Sequence, residues 1–209
     1  MLRPGPTTRS KIRAAVGRGL LVLAACTAAM AWHPAQAASA LAAAKFADLR
    51  GESASAEVRH IADWAVHSGD HAGLPFVVVD KVDSRVFVFD AQGGLRGASP
   101  ALVGAARGDE SPPDIGRRAI SSIRPSERTT PAGRFQAVMG KGPKGEDILW
   151  VDYDSALALH RVVTHVPQER RLQRLQSQEP AERRITYGCI NVPVAFYESV
   201  VQELIAREL

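Results

Sequence analysis

Val58, Ile61, Ala62 and Ala65 recur at i, i+3, i+4 and i+7, the spacing of one helix face, and predict a helix over residues 53–68. Residues 69–75, with Gly69, Gly73 and Pro75, break it. From Phe76 the apolar residues change to short β-branched and aromatic runs. These predict strands over residues 76–79, 85–89 and 95–103, separated by turn formers at 80–84 and 90–94. Residues 108–128 are charged and rich in proline and serine, a loop of the length usually reserved for function or motion. Further strands are predicted over 134–139 and 148–153, around the glycine-rich turn 140–145, and over 156–160, ending in His160. Residues 166–184 are polar, with Leu172 and Leu175 as the main apolar anchors, and read as a short helix inside a covering segment. Residues 193–209 predict a closing amphipathic helix. Pro193 suits its first turn, and Tyr197, Val200, Val201, Leu204 and Ile205 share one face. The chain therefore reads as mainly β, flanked by helices at its N- and C-terminal ends.

The first residues do not belong to that pattern. Arg3, Arg9, Lys11, Arg13 and Arg18 precede an apolar run over 19–32 and the small-residue site Ala35-Gln36-Ala37, the layout of a secretory signal peptide. The run is shorter than the roughly 20 residues a membrane-spanning helix needs. The expected organisation is a signal peptide over 1–37, a tether and helix over 38–75, and one folded domain over 76–209, exported to the periplasm or cell wall. A competing reading takes Leu23-Ala24-Ala25-Cys26 as a lipoprotein box, which would put a lipid anchor on Cys26.

Removing the leader changes the charge. Five of the 26 basic residues and none of the 22 acidic ones precede residue 38, so the mature chain carries a net charge of −1. The basic balance of the whole chain is thus no argument for nucleic-acid binding. It also leaves Cys189 as the only thiol. In an oxidising compartment an unpaired thiol is either buried and inert or kept for its reactivity.

The segment around that thiol is the most informative in the chain. In Thr186-Tyr187-Gly188-Cys189-Ile190-Asn191, a cysteine directly after glycine can sit on a tight bend where a substrate carbonyl can approach the sulfur. The N–H groups of Gly188 and Cys189 are candidate oxyanion donors. The bland alternative is a cysteine packed in the core. Thr186-x-Gly188-Cys189-Ile190-Asn191 resembles the [S/T]-x-G-C-x-[R/N] signature of the L,D-transpeptidase catalytic-domain (YkuD-like) family. Thr130-Pro131-Ala132-Gly133-Arg134-Phe135 is similar to that family's T-P-x-G-x-F segment, and Ala156 to His160 to its strand ending in the catalytic histidine. The likeness runs from about Phe76 to Val201.

The resemblance implies a curved sheet or barrel-like sandwich and a cysteine enzyme acting on peptidoglycan stem peptides, with no cofactor. Cys189 would attack a stem-peptide carbonyl and form a thioester, and His160 would move the proton. Thr186, Gly188 and Asn191 would support the loop, Asn191 standing where many members carry arginine. Two features depart from the pattern. Arg161 follows His160 where glycine is usual, and the interval from His160 to Cys189 is longer than the family's, as a charged insertion over 166–182 would make it. His165 is the alternative base. Arg161, Arg183 and Arg184, with Arg170 and Arg171, are candidates to bind the carboxylates of an anionic wall peptide, solvated surface charge being the plain alternative. Within the family, carboxypeptidase or hydrolase activity is the rival to transpeptidation. From another class the rival is a non-catalytic wall-binding module. His60, His67 and His71 lack the spacing of a metal site, and no phosphate or nucleotide motif is present.

Overall fold

The computed structural model describes residues 45–208, with side chains through Ile205. The proposed signal peptide, its cleavage site and Cys26 lie outside the described residues. The described chain is mainly β, with nine strands in three sheets and a few helices, and no closed barrel.

Helix α1 (Ala56–Ser68) starts three residues later than the apolar spacing predicts because Ser55 caps it, its side chain accepting from the Val58 N–H. Gly69 ends it at φ 70°, a left-handed cap that suits glycine. Val58, Ala62, Ala65 and Val66 are buried, whereas Ile61 is exposed, so the inward face lies one position round from the expected one. The helix lies on an antiparallel meander of β1 (Phe76–Asp80), β2 (Arg85–Phe89) and β3 (Leu95–Pro100). Strand β2 is apolar on both faces for a physical reason. Phe87 and Phe89 join Val58 and Ala62 under α1, while Val86 and Val88 face the main core.

Beyond β4 (Val103–Gly104), the long loop folds into short 3₁₀ turns at Ile115–Arg117, Ile120–Ser122 and Pro125–Glu127. The next strand, β5 (Val138–Lys141), begins four residues after the predicted start. Arg134 is drawn aside instead, donating to Asp70 Oδ2 at 2.5 Å and to the Asp70 carbonyl at 3.1 Å. Strand β6 (Asp147–Asp152) pairs antiparallel with β5 and with β7 (Leu157–Arg161). After α2 (Arg171–Gln176) and β8 (Arg184–Thr186), which pairs in parallel with β4, comes β9 (Ile190–Val192), parallel to β7. Parallel neighbours need a crossover of a dozen residues or more. The long interval between His160 and Cys189 is that crossover, anchored where Leu175 packs with Leu102, Val162 and Ile185.

The closing helix, residues 194–208, is interrupted by a π-helical stretch at Tyr197–Gln202. Tyr197, Val201 and Ile205 still reach the main core beside Leu149, Leu157, Leu159, Ile190 and Val192. Among the described residues no group of His, Cys, Asp or Glu is placed to hold a metal ion. His71 instead faces the carbonyls of Ala65 and Ala91, at 2.9 and 3.1 Å, joining α1 to the β2–β3 turn.

Candidate active site

Cys189 stands at the bend between β8 and β9, and its backbone is held from several sides. Gly188 has φ +140°, and a Cβ there would lie 2.8 Å from the Thr129 carbonyl oxygen. Glycine is therefore required both by conformation and by space. Thr186 Oγ1 donates to the Cys189 carbonyl at 2.7 Å and accepts from the Gly188 N–H at 3.2 Å. Thr130 Oγ1 donates to the Gly188 carbonyl at 2.6 Å and accepts from the Gly104 N–H at 2.8 Å. The Gly188 N–H is consequently spent on Thr186 and is not a free oxyanion donor, contrary to the expectation from sequence. Replacing Gly188 with alanine is expected to destabilise the fold by about 2–3 kcal/mol, through strain and the clash with Thr129. Denaturant unfolding of the variant measures this, and an unchanged midpoint would refute it.

The sulfur is half-buried and donates to the Ala156 carbonyl at 3.5 Å. Burial pushes the thiol above its ordinary range. The Ala158 N–H, the Arg171 guanidinium and the N–H of Cys189 itself pull it down without overcoming that cost. Cys189 is thus a neutral thiol at rest. It lines a cavity of about 270 Å³ with Ile115, Ile123, Leu157, Tyr187 and Gly188, and among the described residues Arg118 is the only charged side chain on its wall. A more open hollow of about 420 Å³ adjoins it, sharing Ser111, Pro131 and Ser155, and is lined by Asp109, Glu110, Asp114, Asp152 and Asp154, of which Asp109 pairs with Lys81 and Asp114 with Arg117. The long loop forms much of both walls. It is tied down through Glu127, whose carboxylate accepts from Arg124 and Arg118 and is held far below the usual carboxylate range by them.

His160 lies on β7 in register with Asn191 on β9. Paired residues in neighbouring strands project to one face, so the His160 and Asn191 side chains share one, while Cys189 precedes β9 at the bend. The imidazole does not line the cavity, and no hydrogen bond joins it to the sulfur. Its Nδ1 is 2.7 Å from the Arg161 carbonyl oxygen and its Nε2 is 3.1 Å from Asn191 Nδ2. Burial pushes the His160 pKa down, and the Arg171 charge adds to this. The bond to the Arg161 carbonyl and the charge of Glu146 oppose it. The ring is therefore neutral at neutral pH.

The other candidates fall elsewhere. His165 is exposed, with Nε2 3.0 Å from Lys144 Nζ. Arg161 stacks on the Tyr197 ring at 4.5 Å and bonds Glu198, Gln202 and the Asp147 carbonyl. Arg183 is buried against the Ser177 and Asp83 carbonyls, and Arg184 binds those of Lys81, Gly104 and Ala106. These three arginines tie strands and loops together, and none lines the cavity.

Two residues matter more than their sequence context indicates. Thr130 sits in the T-P-A-G-R-F segment, which marks the region but not its grip on Gly188. Arg171 donates from Nη1 to Asn191 Oδ1 at 2.8 Å and from Nε to Glu169 at 2.5 Å. Nothing in the charged run around it singles it out. Comparisons of the chain with protein-family models and curated proteins, and of its fold with solved structures, return no match.

Proposed function

We propose that this protein is an exported cysteine acyltransferase of the L,D-transpeptidase type, with the fold of that family, acting on peptidoglycan stem peptides. The observation that carries the reading is the thiol of Cys189 on a firmly held Gly-Cys bend, open to a cavity and two residues before Asn191, whose amide bonds the neutral imidazole of His160. In the first half-reaction His160 takes the proton from Cys189 Sγ, and the thiolate attacks the carbonyl before the terminal D-residue of a donor stem. The Cys189 N–H is the remaining local donor for the oxyanion. The C–N bond breaks, the proton passes from His160 to the leaving amine, and a thioester remains. The ammonium of a second stem gives one proton to solvent, its amine attacks the thioester, the C–S bond breaks, and the surplus proton passes through His160 to the Cys189 sulfur. The carboxylate-lined hollow beside the cavity suits such an amine, which arrives as an ammonium ion. Water in its place would give the carboxypeptidase outcome.

A hydrogen bond between sulfur and imidazole is not required at rest, because such contacts often tighten only once substrate is bound. Its absence is nevertheless the observation that favours the second reading, a wall-binding module without turnover. Incubating the purified protein with defined tetrapeptide stems and weighing the products by mass spectrometry separates the readings. The expected product is a cross-linked dimer lacking one terminal D-residue. A shortened monomer alone would make the protein a carboxypeptidase. Binding without any product, and without a covalent adduct to a carbapenem, would leave the wall-binding module.

A further inference from the structure

We infer that Arg171 is a positioning residue, which orients the Asn191 amide so that His160 carries its proton on Nδ1 and its lone pair on Nε2. The inference rests on the reading of His160 as the base.

The assignment follows from one group that has no choice. A guanidinium only donates. The Asn191 atom 2.8 Å from Arg171 Nη1 must therefore be the amide oxygen, which sets the orientation of the amide. The amide nitrogen then points at His160 Nε2, 3.1 Å away, and can only donate to it. Nε2 accepts, so it is unprotonated, and the proton of the neutral ring sits on Nδ1. There it meets an acceptor, the Arg161 carbonyl oxygen at 2.7 Å. Turning over any one member would set donor against donor or acceptor against acceptor.

Arg171 is itself firmly placed. Its side chain is only 12% exposed and forms an ion pair with Glu169. Arg170, in the left-handed conformation at φ 47°, turns the chain from the Pro167–Glu169 turn into α2, where Arg171 is the first residue. Arg174 ties the same turn back, donating to the Glu169 carbonyl at 2.8 Å and the Glu182 carbonyl at 2.6 Å. The charged crossover thus carries a cation to the strand pair that holds the base.

The chemical consequence is a neutral ring whose basic nitrogen is held by Asn191, two residues after the thiol. The bond from Asn191 to Nε2 is a single neutral hydrogen bond, weak enough for the thiol to replace when substrate orders the site. Nδ1–H stays on the carbonyl and keeps the ring oriented, as the partner of a catalytic imidazole does elsewhere.

Nitrogen-15 NMR of the histidine-labelled full chain tests this, with the His160 signals identified by their loss in His160→Gln. The wild type is expected to show the Nδ1–H tautomer. Arg171→Gln is expected to give a mixture of tautomers and a raised imidazole pKa. It should also lower kcat about ten-fold while KM changes less than about three-fold. Arg171→Lys keeps the charge but not the fork to Glu169 and Asn191. It should restore the pKa while leaving the tautomers mixed. An Nε2–H tautomer in the wild type, or an unmixed Nδ1–H tautomer in a folded Arg171→Gln protein, overturns the inference. Because the NMR signal needs no turnover, tautomer mixing in a protein inactive on every stem would sink the functional reading and leave the positioning role standing.

Discussion

Replacing Cys189 with alanine is expected to cut product formation by at least about 10⁴-fold, to the level of the uncatalysed reaction. The sulfur is the only thiol among the described residues, and the two hydroxyls that grip its bend are not free to replace it. Thr186 and Thr130 have both committed their Oγ1 atoms to the backbone of the bend. Stability should barely change. The side chain is half-buried, and the hydrogen bond it donates is a long sulfur contact to Ala156, so less than about 1.5 kcal/mol should be lost. Turnover, adduct formation with a carbapenem and the denaturation midpoint are the three measurements. Full activity in the alanine variant would end the mechanism, and a large drop in midpoint would make the thiol a packing residue.

Replacing His160 with glutamine should lower turnover by about 10²–10⁴-fold, the usual contribution of a positioned general base. The pH profile carries more information than the loss. Burial holds the wild-type imidazole pKa below its ordinary value, so the base keeps its lone pair to a lower pH than an ordinary histidine. Wild-type activity should therefore extend further into acid than an unshifted imidazole would allow. In the glutamine variant the thiol must ionise unaided. Because its pKa is pushed up, the residual rate should climb with pH into the alkaline region. The same shift links to stability. The unfolded chain takes the proton more readily than the folded one, so this group's contribution is lost as pH falls from the ordinary imidazole value toward the lower one. His165→Ala should change neither profile, since that ring sits exposed beside Lys144. If His165→Ala, and not His160→Gln, abolishes activity, the base has been misassigned.

Much of the local architecture was legible in the residues. Val58, Ala62 and Ala65 mark α1, and the β-branched run from Val77 to Val79 marks β1. Tyr197, Val201 and Ile205 mark the inward face of the closing helix. Each signal acts within a few residues, where periodicity and turn chemistry decide. The Gly-Cys bend belongs here too, because only glycine adopts the backbone of position 188 without strain.

The parallel pairing of β7 with β9 was not legible. Alternation shows that a strand exists and not which strand it joins, and the partners Leu159 and Ile190 lie on either side of the whole crossover. The same holds for the arginines. Arg161, Arg171, Arg183 and Arg184 are chemically identical in the sequence, yet only Arg171 reaches Asn191 while the others bind carbonyls or Glu198 and Gln202. Local spacing was enough for the mainly β pattern, the helical ends and the glycine that bends the chain before Cys189. Tertiary structure alone decided which cation stands behind the imidazole, and that the sulfur and ring rest apart. Those outcomes depend on distances between positions far apart in the chain, which no local spacing encodes.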